Sequence, residues 1–274
     1  MSSISAVWNS LMIPEFYLSL CMCSFFQIAL FFGCQMKWPL KFKTPIQYAW
    51  IPTTGSSFIM TFGSLPFVKD YFTNQSDLSS FQLLNSPYAI AFCAYFVSYL
   101  LADMIFGYIY YPQHMDIVTG WIHHTIYLVL IPALIHYKVP GAFMVAAVME
   151  LPTIFLAIGF LNEKFKSEIL FGITFFLTRL LFHVYFVIQL YLVWPTQYTL
   201  IFFSTFTFPL HIYWFKRWTT RQLKRIRSYL SESFVQFEDH VDLTSSIDSC
   251  ISSSVNHIKL EKRGFNNRLD PLVE

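Results

Sequence analysis

Residues 116–135 read D-I-V-T-G-W-I-H-H-T-I-Y-L-V-L-I-P-A-L-I. As a helix this run is long enough to cross the ~30 Å hydrocarbon core of a bilayer, yet it carries two adjacent imidazoles, His123 and His124. An unpaired polar group in an apolar medium costs roughly 2–7 kcal/mol. The two rings must therefore find partners elsewhere in the chain. At 3.6 residues per turn, neighbouring side chains leave the helix axis about 100° apart, so the pair cannot aim at one spot. One ring is expected to reach a cavity and the other to be held by a neighbour, with Tyr127, one turn further on, as a partner.

The rest of the chain has the same apolar character. Of 274 residues, 55% are hydrophobic, 20% aromatic and 12% charged, against about 25% charged in soluble domains. This composition points to an all-α, polytopic transmembrane helix bundle. The formal net charge of +2 is unevenly spread, with Lys and Arg gathered between the apolar runs, a pattern that sets topology and not nucleic-acid binding. The cysteines are odd in number, and Cys21, Cys23, Cys34 and Cys93 lie in apolar segments, so they read as small apolar side chains and not as a disulfide framework or a metal site. No basic-headed cleavable leader is evident, and the first apolar run is expected to remain as a helix.

Seven runs qualify as candidate spans: 16–35, 48–68, 88–109, 116–135, 142–160, 168–192 and 198–214. The second is the weakest, being interrupted by Pro52, Gly55, Gly63 and Pro66. Seven spans would place Lys37, Lys41, Lys43, Lys164, Lys166, Lys216, Arg217, Arg221, Lys224, Arg225 and Arg227 on one side and only Lys69 and Lys138 on the other. The positive-inside rule then puts the N-terminus in the lumen and the C-terminus in the cytosol. Three regions follow: a lumenal N-terminus with the first helix (1–40), a transmembrane domain (41–225), and a Ser-, Asp- and Asn-rich cytosolic tail (226–274) that reads as disordered.

Ionisable residues within a span are costly and normally face the bundle interior. Here they are Asp103, His123, His124, Glu150, Arg179 and His183. Counted from the cytosolic ends at 1.5 Å per residue, they fall in one band ~9–16 Å deep, contributed by four helices. Arg179 and His183 are four residues apart and share a face of an α-helix. A salt-bridged network tying helices together is the ordinary explanation, although apolar replacements often stabilise a bundle equally well. His114, His136 and His211 read as lying near span ends. Pro132, Pro152 and Pro209 are expected to kink their helices.

Four motifs in order, Y-L-L-A-D-M-I-F-G-Y, W-I-H-H-T, M-E-L-P-T-I-F and F-F-L-T-R-L-L-F, resemble the TLC-domain family, which includes ceramide synthases and the translocating-chain-associating membrane protein. The likeness runs from about residue 41 to 225 and is nearest to the small TLC-domain proteins. In ceramide synthases the His pair is followed by a segment with His-Asp and further acidic residues. The stretch G-A-F-M-V-A-A-V-M-E-L-P supplies only Glu150.

The resemblance implies an endoplasmic-reticulum protein of lipid metabolism or lipid homeostasis, partnered by membrane lipids and needing no bound cofactor. As an enzyme it would use acyl-CoA as co-substrate. His123 or His124 would act as base or take the acyl group, Asp103 or Glu150 would orient the ring, and Arg179 would steady an anionic group. A non-catalytic lipid-binding protein is the competing class, and a proton-coupled transporter a third, although no inverted repeat is visible. The topology carries its own test, because Asn74-Gln75-Ser76 is a glycosylation sequon in the second, lumenal loop. A glycosidase-sensitive gel shift that disappears in Asn74→Gln is expected; glycans accepted only by sequons inserted into the basic loops would reverse the orientation.

Overall fold

The computed structural model describes residues 13–37, 44–74 and 81–266, and all regular structure among them is helical. Helix α1 spans Pro14–Lys37, α2 Pro45–Asn74, and α3 Pro87–Tyr110. A π-helical turn, Ile117–Ile122, leads into α4, His123–His136. Helices α5, Pro140–Ala146, and α6, Leu151–Leu161, are joined by a 3-10 turn, Ala147–Glu150. Helices α7, Glu168–Phe175, and α8, His183–Val193, flank a second π-helical stretch, Phe176–Phe182. The last helix, α9, is Tyr198–Asn266.

Each candidate span thus lies on helix. By length and hydropathy, four described segments suffice to cross a membrane: Pro14–Lys37, Pro87–Tyr110, Pro140–Leu161 and Glu168–Val193; Gly120–His136 is a shorter apolar helix. Their outer faces are apolar: Leu18, Phe25, Ile169 and Leu192 are each about two-thirds or more exposed. Such a surface needs hydrocarbon around it, because contiguous apolar patches of this extent are not left in water. The molecule is a multi-pass membrane protein.

Helix starts follow from short sequence signals. Ser86 caps α3 by accepting from the Ala89 amide at 3.2 Å, with Pro87 in the first turn where its missing N–H costs nothing. Ser167 caps α7 in the same way through the Leu170 amide at 3.3 Å. Helix α2 differs from the sequence expectation, since Pro52 and Pro66 lie inside an unbroken helix of 30 residues. Around Pro52, the hydroxyls of Thr53, Thr54 and Ser57 donate to carbonyls one turn back. Side-chain donors of this kind help satisfy the backbone that proline disturbs in a membrane helix. Pro152 stands in the first turn of α6, behind the 3-10 turn that carries Glu150, and Pro132 and Pro209 lie within α4 and α9.

Helix α2 is the hub, packing against α1, α3, α5, the 147–150 turn and α6, while α1 lies along α3. Phe31 of α1 stacks on Phe106 of α3 at 4.2 Å between ring centroids. The described residues up to Phe215 form one compact unit and those from Lys216 another. Within the second, the chain is helical as far as Asn266, through most of the stretch whose composition reads as a disordered tail. Its local hydrogen bonds include Ser228 to Glu232 and Ser233 to the carbonyl of Tyr229.

At the end of the bundle where α2 stops, Asp70 accepts from the Leu83 amide at 2.9 Å, and the Gly141 amide donates to Leu84 at 2.7 Å. A Cβ on Gly141 would lie 2.5 Å from the Leu83 carbonyl and 2.7 Å from Leu84 Cα, both backbone atoms. Gly141→Ala is therefore expected to destabilise the protein by about 1–3 kcal/mol, read as a lower unfolding midpoint in detergent.

Candidate functional site

The two histidines that open α4 separate into two polar chambers. His124, 6% exposed, faces Asp103 of α3, with Nδ1 3.7 Å from Oδ2. That separation lies beyond hydrogen-bond length. The other carboxylate oxygen of Asp103 accepts from the Tyr111 hydroxyl at 2.9 Å. Tyr111 reaches back because it ends α3, its amide bonded to the Gly107 carbonyl. Gly107 permits the turn that follows to fold close, since a Cβ there would collide with Met115. Tyr99, one turn before Asp103, donates to Thr53 of α2 at 3.3 Å. These groups line a cavity of about 280 Å³ whose wall includes Trp50 and Phe160, stacked at 4.5 Å.

His123 lines a different cavity, of about 50 Å³. Its ring meets Tyr127 edge-on at 4.8 Å and lies 5.7 Å from Trp214. Arg179 enters from the π-helical stretch and has bonds on two of its three nitrogens. Its Nε donates to the Met149 carbonyl at 2.7 Å, and its Nη2 to Glu150 at 3.1 Å and to Thr153 at 2.8 Å. The guanidinium also sits 5.4 Å from the Phe175 ring and 5.9 Å from Trp214, within cation–π range. The 3-10 turn explains the arrangement, because it presents a carbonyl and the Glu150 side chain to one cation.

Two more histidines complete this chamber. His183 Nε2 lies 2.9 Å from the Ser204 carbonyl, which can only accept, so Nε2 carries the hydrogen. In the neutral ring Nδ1 is then the acceptor, and it lies 2.9 Å from His211 Nδ1. His211 Nδ1 is also 3.1 Å from the Arg179 carbonyl, so its proton is shared between the two acceptors. His211 Nε2 is left as the lone-pair nitrogen. The remaining wall is apolar and includes Leu130, Leu134, Phe143 and Phe186.

The structure thus places the sequence candidates in two groups. Asp103 stands with His124; Glu150, Arg179 and His183 share a cavity with His123. Glu150 pairs with Arg179 and not with an imidazole, and the π-helical winding replaces the α-helical spacing assumed for Arg179 and His183. Tyr111, Thr153 and Ser204 have no signal in the sequence, and His211 reads there only as a residue near a span end, not as a site residue. Its position within the apolar run 198–214 is the signal that marks it as intramembrane. Asn74 donates to Asp70 at 2.7 Å, and the other two residues of its sequon lie outside the described residues. Among the described residues, no three His, Cys, Asp or Glu side chains converge as a metal-ligand set.

Fold and site define a multi-pass membrane protein with ionisable groups enclosed between its helices. Residues 46–219, more than half of the chain, match the TLC domain, and the protein belongs to that family. No curated protein and no solved structure matches it.

Breaking a buried ion pair costs about 3–5 kcal/mol by leaving one charge uncompensated. The Glu150 side chain is 25% exposed and that of Arg179 12%, so Glu150→Ala is expected near the lower end, about 3 kcal/mol. Thermal unfolding in detergent would measure it, with Glu150→Gln recovering part of the loss through a neutral hydrogen bond.

Proposed function

We propose that the protein is an endoplasmic-reticulum membrane protein of lipid metabolism, spanning the bilayer seven times with its C-terminus in the cytosol, and that it transfers an acyl group from acyl-CoA to an amine or hydroxyl of a lipid at His123. The observation that carries this reading is the His123 cavity. It combines a half-buried imidazole, a guanidinium and a histidine pair with an open lone pair, beside apolar walls that include Leu130, Leu134, Phe143 and Phe186. The TLC domain supports a lipid role, and the loop charges support the orientation.

In this scheme His123 attacks the thioester carbonyl. A nitrogen–carbon bond forms, the carbon–sulfur bond breaks, and CoA thiolate leaves and takes up the ring proton. The lipid amine or hydroxyl then attacks the acyl-imidazole. His211 Nε2 accepts its proton, the carbon–nitrogen bond to His123 breaks, and the His123 nitrogen regains a proton from His211. Arg179 lies where it can favour charge developing on the carbonyl oxygen.

The competing reading, a lipid-binding protein without catalysis, is favoured by one observation. Arg179 is already bonded to Met149, Glu150 and Thr153, which completes a helix-tying network without any substrate. Untargeted lipidomics of a deletion strain separates the two. Cells complemented with His123→Ala, at wild-type protein level, are expected to keep the lipid profile of the deletion. A wild-type profile in those cells would remove the catalytic reading and leave the binding one.

A further inference from the structure

We infer that the chamber on the His124 side is a binding site for a primary ammonium group. This does not rest on acyl transfer and applies equally to a protein without catalysis.

The argument is the direction of the hydrogen bonds. Each hydroxyl bonded in this chamber has already committed its proton to protein: Tyr111 to Asp103 Oδ1 at 2.9 Å, Tyr99 to Thr53 Oγ1 at 3.3 Å, and Thr53 to the Ala49 carbonyl at 3.4 Å. Acceptors are what remain. Asp103 Oδ2 receives no hydrogen bond among the described residues, and His124 Nδ1 is buried without a hydrogen-bond partner and is an acceptor in the tautomer that carries its hydrogen on Nε2. The two atoms are 3.7 Å apart, so a single nitrogen donor can stand at about 2.9 Å from both. An ammonium has three hydrogens to give and a charge to offset the carboxylate.

Charge and location agree with this. Asp103 and Asp116 line the cavity, and no Lys or Arg does so among the described residues. Apart from the imidazoles of His114 and His124, an anion would therefore find no basic side chain in the described lining, in contrast to the Arg179 chamber. The stacked Trp50 and Phe160 and the Tyr99 ring supply aromatic surface, which attracts a cation. A quaternary ammonium would meet the same surface but has no hydrogen to offer Oδ2 and Nδ1. The cavity lies at the end of the bundle where α2 begins, α3 ends and the turn before α4 starts, the end that the seven-span topology turns toward the cytosol. Its volume of about 280 Å³ suits a compact head group or a small free amine.

The test uses the full-length protein in detergent with two ligand pairs. Phosphatidylethanolamine against phosphatidylcholine is read by native mass spectrometry, and free ethanolamine against choline by calorimetry. The primary amine is expected to bind roughly tenfold or more tightly than its trimethylated counterpart, the preference disappearing in Asp103→Asn. Preference within the lipid pair identifies a head group, and preference within the free pair alone identifies a soluble amine. Equal binding in both pairs, no binding, or a preference that survives Asp103→Asn overturns the inference and makes Asp103 and His124 a closed structural pair. The ligand pairs on wild-type protein decide the matter even if Asp103→Asn does not fold.

Discussion

Two side chains adjacent on a helix cannot point the same way, and the site depends on that constraint. His123 and His124 open α4 with their ring centroids 5.8 Å apart. The roughly 100° between successive residues sends one ring toward Arg179 and the other toward Asp103. The double His is therefore a partition wall with a polar chamber on either side. Neither chamber would be lined as it is if the two residues were separated by a turn.

The surrounding helices are shaped to meet this wall. The 3-10 turn between α5 and α6 brings a carbonyl and a carboxylate to Arg179. The π-helical stretch between α7 and α8 brings Arg179 itself and the His183 that bonds to His211. Departures from α-helical winding at depth are tolerated in a membrane only where the freed backbone faces protein or a cavity, and both departures here border one. The chambers differ in chemical sense. On the His123 side a guanidinium is held in place beside a lone-pair nitrogen. On the His124 side the hydroxyl protons are turned away and acceptors face inward. A protein that handles two ends of a polar lipid, or two different ligands, has use for such a pair.

Much of the fold was legible because hydropathy and length are local properties. The seven apolar runs each fall on helix, and Ser86, Pro87 and Ser167 mark helix starts by short-range chemistry. Helix α2 looked doubtful for the same reason, since Pro52 and Pro66 are visible in sequence while the hydroxyl bonds beside Pro52 are not. Within the site, the burial cost of charge flagged Asp103, Glu150 and Arg179 without saying who pairs with whom. That information is tertiary: Glu150 could have oriented an imidazole, and it bonds Arg179 instead because the 3-10 turn aims it there. His211 was discounted by its nearness to a span end, although the intramembrane rule applied to it as much as to His183. Tyr111 carried no sequence signal, because its role comes from the chain leaving the helix at that residue, the C-cap of α3.

The central claim is that the adjacent histidines belong to separate chambers. Double-mutant cycles on unfolding free energy test it directly, pairing Asp103→Asn with His124→Ala in one cycle and with His123→Ala in the other. Residues in contact couple by about 0.5–3 kcal/mol, whereas independent sites add to within about 0.5 kcal/mol. Coupling of Asp103 to His124 with additivity toward His123 is the predicted result. Equal coupling to both histidines would contradict the partition.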